Sequence, residues 1–357
     1  MNGRTGGWLV AATGFAVAGS LLVPAGVAAA HSTTAQTVKS QVKSASSTAR
    51  QASSTGKLRV ATYNVCKVDC PSSPLSWSNR REAVFRTMKS SKADLIALQE
   101  TNSSRSGNSQ RGQIARALSK AGYDLFPKGH FMPVDADCSG PCVRTTGILA
   151  KRDVLRSVSL PSGEKTSGMV SLKSLTGQSW GPSLDRSFAW ALLEHIPTGQ
   201  PVLISSVHLV NEKTNSGETS RRASAAAVVK WLQDYAARIG MPNTPLFVAG
   251  DLNSFQKRNP KGAQVVLEQA GFVDGFRVKR RINSRYPTVN HAFGSSGWPT
   301  RPPIYNREAP RIDYVFGSRA MRPVKYGVHI KKLRNGKFNP KFRGSDHNLV
   351  WSDWLLP

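Results

Sequence analysis

The sequence predicts a mixed domain of the α+β class over about residues 58 to 357. Three observations carry this. Short apolar, β-prone runs recur, such as Asp94-Leu-Ile-Ala-Leu-Gln99 and Val202-Leu-Ile-Ser-Ser-Val-His208. Longer stretches of helical character lie between them, the longest from about Glu218 to Ile239. Roughly 300 residues also suffice for one large domain with a sizeable core, and no internal repeat divides them.

The elements follow in chain order. Arg4 precedes an apolar stretch from Trp8 to Val23, and small residues at Val27-Ala28-Ala29-Ala30 offer a cleavage site. Residues 1–30 therefore read as a signal peptide, and a secreted, extracellular protein is expected. The rival is a retained anchor, but the run is short for a span and is interrupted by Gly19, Ser20 and Pro24. No stable membrane insertion is expected after cleavage. Residues 31–57 are Ser/Thr/Ala/Gln-rich with Lys39, Lys43, Arg50, Lys57 and no acid, as in a flexible basic linker or pro-segment. Strands are expected at Leu58–Val65, Asp94–Gln99, Thr146–Ala150, Phe188–His195, Val202–Leu209, Leu246–Ala249, Ile312–Phe316, Lys325–Ile330 and Leu349–Trp354. Helices are expected at Asn79–Ser90, Gln113–Lys120 and Gly262–Ala270, besides the long one, which opens near Thr219 or Ser220 and stops at Gly240 and Pro242.

Four cysteines fall in two local pairs, Cys66 with Cys70 and Cys138 with Cys142. In an exported chain an even count points to disulfides, and three connectivities are open. Local bridges are preferred because each would clamp a loop beside a strand. A four-cysteine zinc site is the alternative, but the spacings are not those of the usual knuckles.

Acidic segments close several of the strands. Glu100 follows Leu98-Gln99, Asp251 and Asn253 sit in Gly250-Asp-Leu-Asn253, Asp313 follows Arg311-Ile312, and Asp346 precedes His347. A hard cation such as Mg²⁺ takes oxygen ligands and needs only one or two protein carboxylates beside water and phosphate oxygens. Glu100 is the best candidate for a direct ligand. Asp251 and Asn253, two apart on extended chain, point to the same side. His208, after an apolar strand, and His347 complete the set. An aspartate at a strand end is often only a turn or cap residue. The ordered joint occurrence of all these segments, with Ala61-Thr62-Tyr63-Asn64-Val65 in the first strand, is what weighs against that reading.

This ordered set, Tyr63-Asn64-Val65, Leu98-Gln99-Glu100, Ser206-Val207-His208-Leu209, Gly250-Asp251-Leu252-Asn253, Arg311-Ile312-Asp313-Tyr314 and Ser345-Asp346-His347, resembles the endonuclease/exonuclease/phosphatase superfamily. The resemblance implies a four-layer α/β/β/α sandwich of two facing mixed sheets with outer helices. It also implies that Glu100 ligates a divalent metal with Asn64 and Asp346, while Asp251 and Asn253 orient the attacking water and the scissile phosphate. His347 would pair with Asp313, and His208 would contact phosphate oxygens. Arg186 matches, more loosely, a phosphate-contacting arginine of the deoxyribonuclease branch.

Composition bears on the substrate. There are 49 Lys and Arg against 21 Asp and Glu, a net charge of +28; without Arg4 and the four linker cations the catalytic region keeps +23. Phe276 to Tyr305 is acid-free and basic, with Arg280 and Arg281 within it, and Tyr314 to Ser345 carries nine basic residues and no acid, among them Lys331, Lys332 and Arg334. These stretches flank Asp313 and Asp346, so they are expected to neutralise phosphates along a bound strand. Tyr286, Phe293, Trp298 and Tyr305 are interleaved, as bases would require for stacking or as loops would for packing. The expected protein is a secreted, monomeric, Mg²⁺-dependent phosphodiesterase, with Mn²⁺ or Ca²⁺ as alternative ions, acting on DNA and secondarily on RNA. A sphingomyelinase-like phospholipase or a phosphomonoesterase is the enzymatic alternative. An inactive nucleic-acid-binding protein is the alternative of another class.

Overall fold

The computed structural model describes residues 56–70, 75–102, 108–128, 146–177, 186–256, 261–290 and 299–357. The expectations for residues 1–55, for Cys138 and Cys142, and for Phe293 and Trp298 lie outside them. Among the described residues two seven-stranded mixed sheets form. Their strands are β1 (Lys57–Asn64), β2 (Leu95–Gln99), β3 (Tyr123–Phe126), β4 (Gly147–Lys151), β5 (Leu155–Ser157), β6 (Ser167–Ser171), β7 (Ser187–His195), β8 (Gln200–His208), β9 (Leu246–Asp251), β10 (Phe272–Asp274), β11 (Arg281–Ile282), β12 (Asp313–Ser318), β13 (Arg322–Val328) and β14 (Val350–Leu355). One sheet runs β11-β13-β14-β1-β2-β4-β3. The other runs β10-β12-β9-β8-β7-β5, with β6 also paired to β7.

Side-chain alternation explains why the central strands read as continuous apolar runs. In β1 and β2, Leu58, Val60, Leu95 and Ala97 face the opposite sheet, meeting Ala191, Ile204, Phe247, Ala249 and Val315. Their neighbours Ala61, Tyr63, Ile96 and Leu98 point the other way, onto the helices Trp77–Ser91 and Gln110–Ser119 through Val84, Met88, Ile114 and Leu118. The second sheet repeats this, with Leu203, Val207 and Val248 packed on Val228, Leu232 and Tyr235 of the helix Asn215–Arg238. A strand buried on both faces needs no polar alternation. The result is the expected α/β/β/α sandwich.

Three of the helices begin earlier than the sequence suggests, while the one expected from Gly262 begins at Ala263. The long one opens at Asn215, because the Thr214 side chain accepts a hydrogen bond from the Gly217 amide and overrides the weak helix formers that follow it. The Gln110–Ser119 helix is likewise capped by Ser109. The strands absent from the sequence reading, β3, β5, β6, β10 and β11, are the short ones lying outermost in the sheets. No helix among the described residues is long and apolar enough to cross a membrane.

Candidate active site

Strand directions gather the candidate residues at one end of the sandwich. β1 runs parallel to β2, and β8 runs parallel to β9 with His208 opposite Asp251. β12 is antiparallel to β9 and starts at Asp313, directly opposite Asp251. β14 is antiparallel to β1, so the Ser345–His347 segment ahead of it also arrives at this end. The layer between the sheets turns polar as it approaches. Thr62 Oγ1 donates to Gln99 Oε1 (3.1 Å), Gln99 Nε2 to Ser206 Oγ (3.1 Å), and Ser206 Oγ to the Leu98 carbonyl (2.8 Å). Gly250 permits the close approach of β8 and β9: a Cβ there would lie 2.0 Å from the Val207 carbonyl oxygen.

Asp251 is the hub. Its Oδ1 accepts from the Asn253 amide (2.9 Å) and its Oδ2 from Asn64 Nδ2 (3.1 Å). Nε2 of His208 and Nε2 of His347 lie 3.6 and 3.7 Å from the same Oδ2. Nδ1 of His347 sits between both Asp313 oxygens at 3.1 and 3.0 Å. Asp251, Asp313 and His347 are all buried, whereas the Glu100 side chain is 24% exposed. Glu100 Oε1 accepts from Asn64 Nδ2 (3.0 Å) and Oε2 from the Lys67 amide (3.1 Å), and His208 Nε2 lies 3.9 Å from Oε1. Cys66, Glu100 and Asn253 all hold positive φ, at 52°, 58° and 48°. Such backbone costs about 1–3 kcal/mol per residue and persists only where the surroundings over-determine it.

Electrostatics separates the roles of these groups. Burial alone would lower the pKa of His347, but the charge and hydrogen bond of Asp313, reinforced by Asp251 and Asp346, hold it well above its ordinary value. Burial, then the neighbouring Asp313, pushes the Asp251 carboxyl upward, against His347 and the donors from Asn253 and Asn64. A carboxyl raised toward neutrality beside a stable imidazolium is an acid/base pair.

The donor set fits a hard divalent cation, being rich in carboxylate oxygens. Asp251, Asp313 and His347 each bring one donor atom within 4.8 Å of the others and could hold an ion. A protonated imidazole is no ligand, however, so the more open Glu100 is the better anchor. Asn64 turns its Nδ2 to Glu100 and Asp251, while its Oδ1 accepts from the Cys66 amide (3.0 Å). In this orientation it aligns the two acids. Asp346 also lies near Cys66 and Cys70, but their sulfurs form a disulfide and are not thiolate ligands. That bridge is the local pairing expected for these two cysteines.

The remaining predicted residues lie outside this cluster. Arg186 immediately precedes β7, whose register carries it to the same end as His208. Asn253 Nδ2 donates to the Leu209 carbonyl (2.9 Å), tying the ends of β8 and β9 together. Arg280, Arg281, Lys331, Lys332 and Arg334 are exposed. Their segments are knitted into one platform: Arg285 Nε donates to the Tyr305 carbonyl (2.7 Å), the Phe338 amide to the Thr300 carbonyl (3.0 Å), and Lys332 Nζ to Tyr286 Oη (2.7 Å). Tyr286 is buried in that framework and so packs, whereas Tyr305 is exposed.

Thr288 and Asn290, absent from the sequence reading, join the platform to the site. Thr288 Oγ1 accepts from the Ile312 and Asp313 amides (3.1 and 3.3 Å), Val289 bridges to His347, and the Asn290 amide donates to the Asp346 carbonyl. No local pattern marks them, since their partners lie 24 or more residues away. Arg80 was also missed, although its place on the apolar stripe Trp77, Arg80, Val84, Met88 was a legible signal.

Comparison with known proteins bears on the family and the fold. The sequence matches the model of the Endonuclease/Exonuclease/phosphatase family over residues 61–347. No curated protein matches the chain. Among solved structures, an endonuclease/exonuclease/phosphatase from Bacteroides vulgatus aligns at 19% identity and TM-score 0.62, covering 84% of this chain and 99% of that one. A mannosyl-6-phosphatase from Bacteroides thetaiotaomicron aligns at 18% and 0.58, covering 84% and 100%. The human Nocturnin catalytic domain with bound sulfate aligns at 18% and 0.52, covering 84% and 94%.

Proposed function

The chain belongs to the endonuclease/exonuclease/phosphatase family, and from that premise we propose that it is a secreted, Mg²⁺-dependent phosphodiesterase that hydrolyses DNA and, secondarily, RNA. The observation that carries the choice of substrate is the acid-poor cationic platform, which is hydrogen-bonded through Thr288 and Asn290 to the segments bearing Asp313 and His347. A surface that neutralises several phosphates in register with a hydrolytic centre suits a polyanionic chain better than a single small ester.

Glu100 and Asp346 would hold the cation, which supplies Lewis-acid stabilisation of charge on the phosphate. The other residues act on protons and position. Asp251, raised in pKa and held by Asn253 and Asn64, accepts a proton from the attacking water. The His347 imidazolium, oriented by Asp313, donates toward phosphate oxygens as they gain charge, and His208, whose Nε2 faces the same Asp251 oxygen, contacts them as well. Arg186 supports the phosphate from the start of β7. A monomer suffices for this chemistry, because every proposed group comes from one chain.

The test is a substrate panel with purified mature protein: plasmid DNA, RNA, sphingomyelin, inositol phosphates, mannose 6-phosphate and a simple phosphodiester, each with Mg²⁺ and with chelator. The sugar phosphate is included because one similar structure is named a mannosyl-6-phosphatase. Chelator-sensitive turnover highest on DNA is expected. Highest turnover on the sugar phosphate or on sphingomyelin would replace this reading.

A further inference from the structure

Arg80 is 0% exposed, and its guanidinium is spent on the backbone. Nη1 donates to the carbonyls of Val65 (2.7 Å) and Gly344 (2.9 Å), and Nη2 to those of Cys66 (2.7 Å) and Lys67. Those acceptors lie on two loops. The amides of the first loop orient the candidate ligand Glu100: Lys67 N–H holds its Oε2 at 3.1 Å, and Cys66 N–H holds Oδ1 of Asn64 at 3.0 Å, whose Nδ2 in turn donates to Glu100 Oε1. The second loop continues from Gly344 into Ser345 and Asp346. Gly344 is pressed onto the same helix, where a Cβ would meet Val84 Cγ2 at 2.5 Å and the Val84 amide nitrogen at 2.6 Å. The disulfide Cys66–Cys70 bolts the first loop further along.

We propose that Arg80 is a positioning residue that pre-forms the cation site by clamping the Val65–Lys67 loop to the Gly344–Asp346 loop; this rests on the metal-dependent reading above. Planar geometry is what the position requires. One guanidinium reaches four carbonyls on two loops, whereas a lysine ammonium in the same space has three donors and no fixed fork. Groups that orient metal ligands typically change metal affinity or activity by about 10–100-fold when replaced. Arg111 provides the control. It is equally buried and donates to the Thr146 and Pro127 carbonyls, which, among the described residues, are not hydrogen-bonded to a candidate ligand.

The experiment is calorimetric Mg²⁺ titration of the full chain and of Glu100→Gln, Arg80→Lys and Arg111→Lys. Wild type should bind and Glu100→Gln should bind poorly. Arg80→Lys should lose about 10-fold or more in affinity. Arg111→Lys should bind as wild type does even if it melts earlier. A folded Arg80→Lys with wild-type affinity overturns the proposal while leaving the metal reading intact, and wild type without Glu100-dependent binding overturns both. Should Arg80→Lys fail to fold, amide exchange in metal-free wild type decides. Slow exchange at Cys66 and Lys67 supports a pre-formed loop, and fast exchange that slows only with Mg²⁺ overturns it.

Discussion

Glu100, like Asp346, is partly exposed in a centre whose carboxylates at Asp251 and Asp313 are buried, so its charge is open to a cation. Glu100→Gln keeps the volume but removes that charge and sets an amide against the donors of Asn64 and Lys67. Hydrolysis should fall about 100-fold or more, with a changed metal titration and little loss of folded structure by circular dichroism. The His347–Asp313 pair makes a separate prediction. Asp313 sustains the imidazolium, so in Asp313→Asn the His347 pKa should drop and the proton leave at lower pH. The alkaline limb of the pH–rate profile should therefore move to lower pH as turnover declines. An unmoved limb would show that the two residues are not coupled.

At the scale of elements, a titratable group, His329, directly follows β13. Burial, then nearby Lys331 and Arg59, pushes His329 down to about 4, and its Nε2 lies 2.9 Å from Ser90 Oγ on the helix Trp77–Ser91. The folded state holds the imidazole neutral while the unfolded chain protonates near 6.5. Stability linked to this group is fully present above pH 6.5 and is lost as pH falls from 6.5 toward 4, to the extent of about 3 kcal/mol. Urea midpoints measured across that window should fall more steeply for wild type than for His329→Gln. Parallel curves would mean that His329 titrates normally. Buried arginines serve elements in a similar way. Arg221, from the long helix, donates to the Val210 and Glu212 carbonyls and so holds the loop after β8, as Arg80 holds the loop after β1.

At the scale of the whole molecule, the charge excess is the property with the longest reach. Lys331, Lys332 and Arg334 lie on the hairpin closed by the Lys332–Phe338 bridge, and all three are exposed. If they neutralise phosphates of a bound strand, replacing all three with Ser releases fewer counterions on binding. DNA affinity should fall and its logarithmic salt slope should flatten by about 2–3. Hydrolysis of a small soluble phosphodiester should stay nearly unchanged, because none of the three belongs to the catalytic cluster. Equal slopes for variant and wild type would remove the electrostatic case for nucleic acid and favour lipid or small phosphoester substrates.

The mixed α and β class and most of the central cluster were legible in the linear sequence, and the four-layer sandwich was implied by the family resemblance. Strands such as Leu95–Gln99 and Leu246–Asp251 are short, apolar and closed by an acid, and the ordered motifs from Asn64 to His347 carry their chemistry in residue type alone. Local signals also erred locally: the long helix was expected near Thr219, and a cap three residues before Gly217 moved its start to Asn215. What no local pattern encodes is which distant groups share a hydrogen bond. Asp251 meets Asn64 across 187 positions, Ser345 meets Asn64 across 281, and Arg80 reaches Gly344 across 264. The first arises only when the two sheets close face to face, and the other two only when β14 returns beside β1 under the helix Trp77–Ser91. Burial then decides which carboxyl is raised, which imidazole keeps its proton and which asparagine turns its nitrogen inward, because each depends on desolvation and on partners assembled from the whole chain.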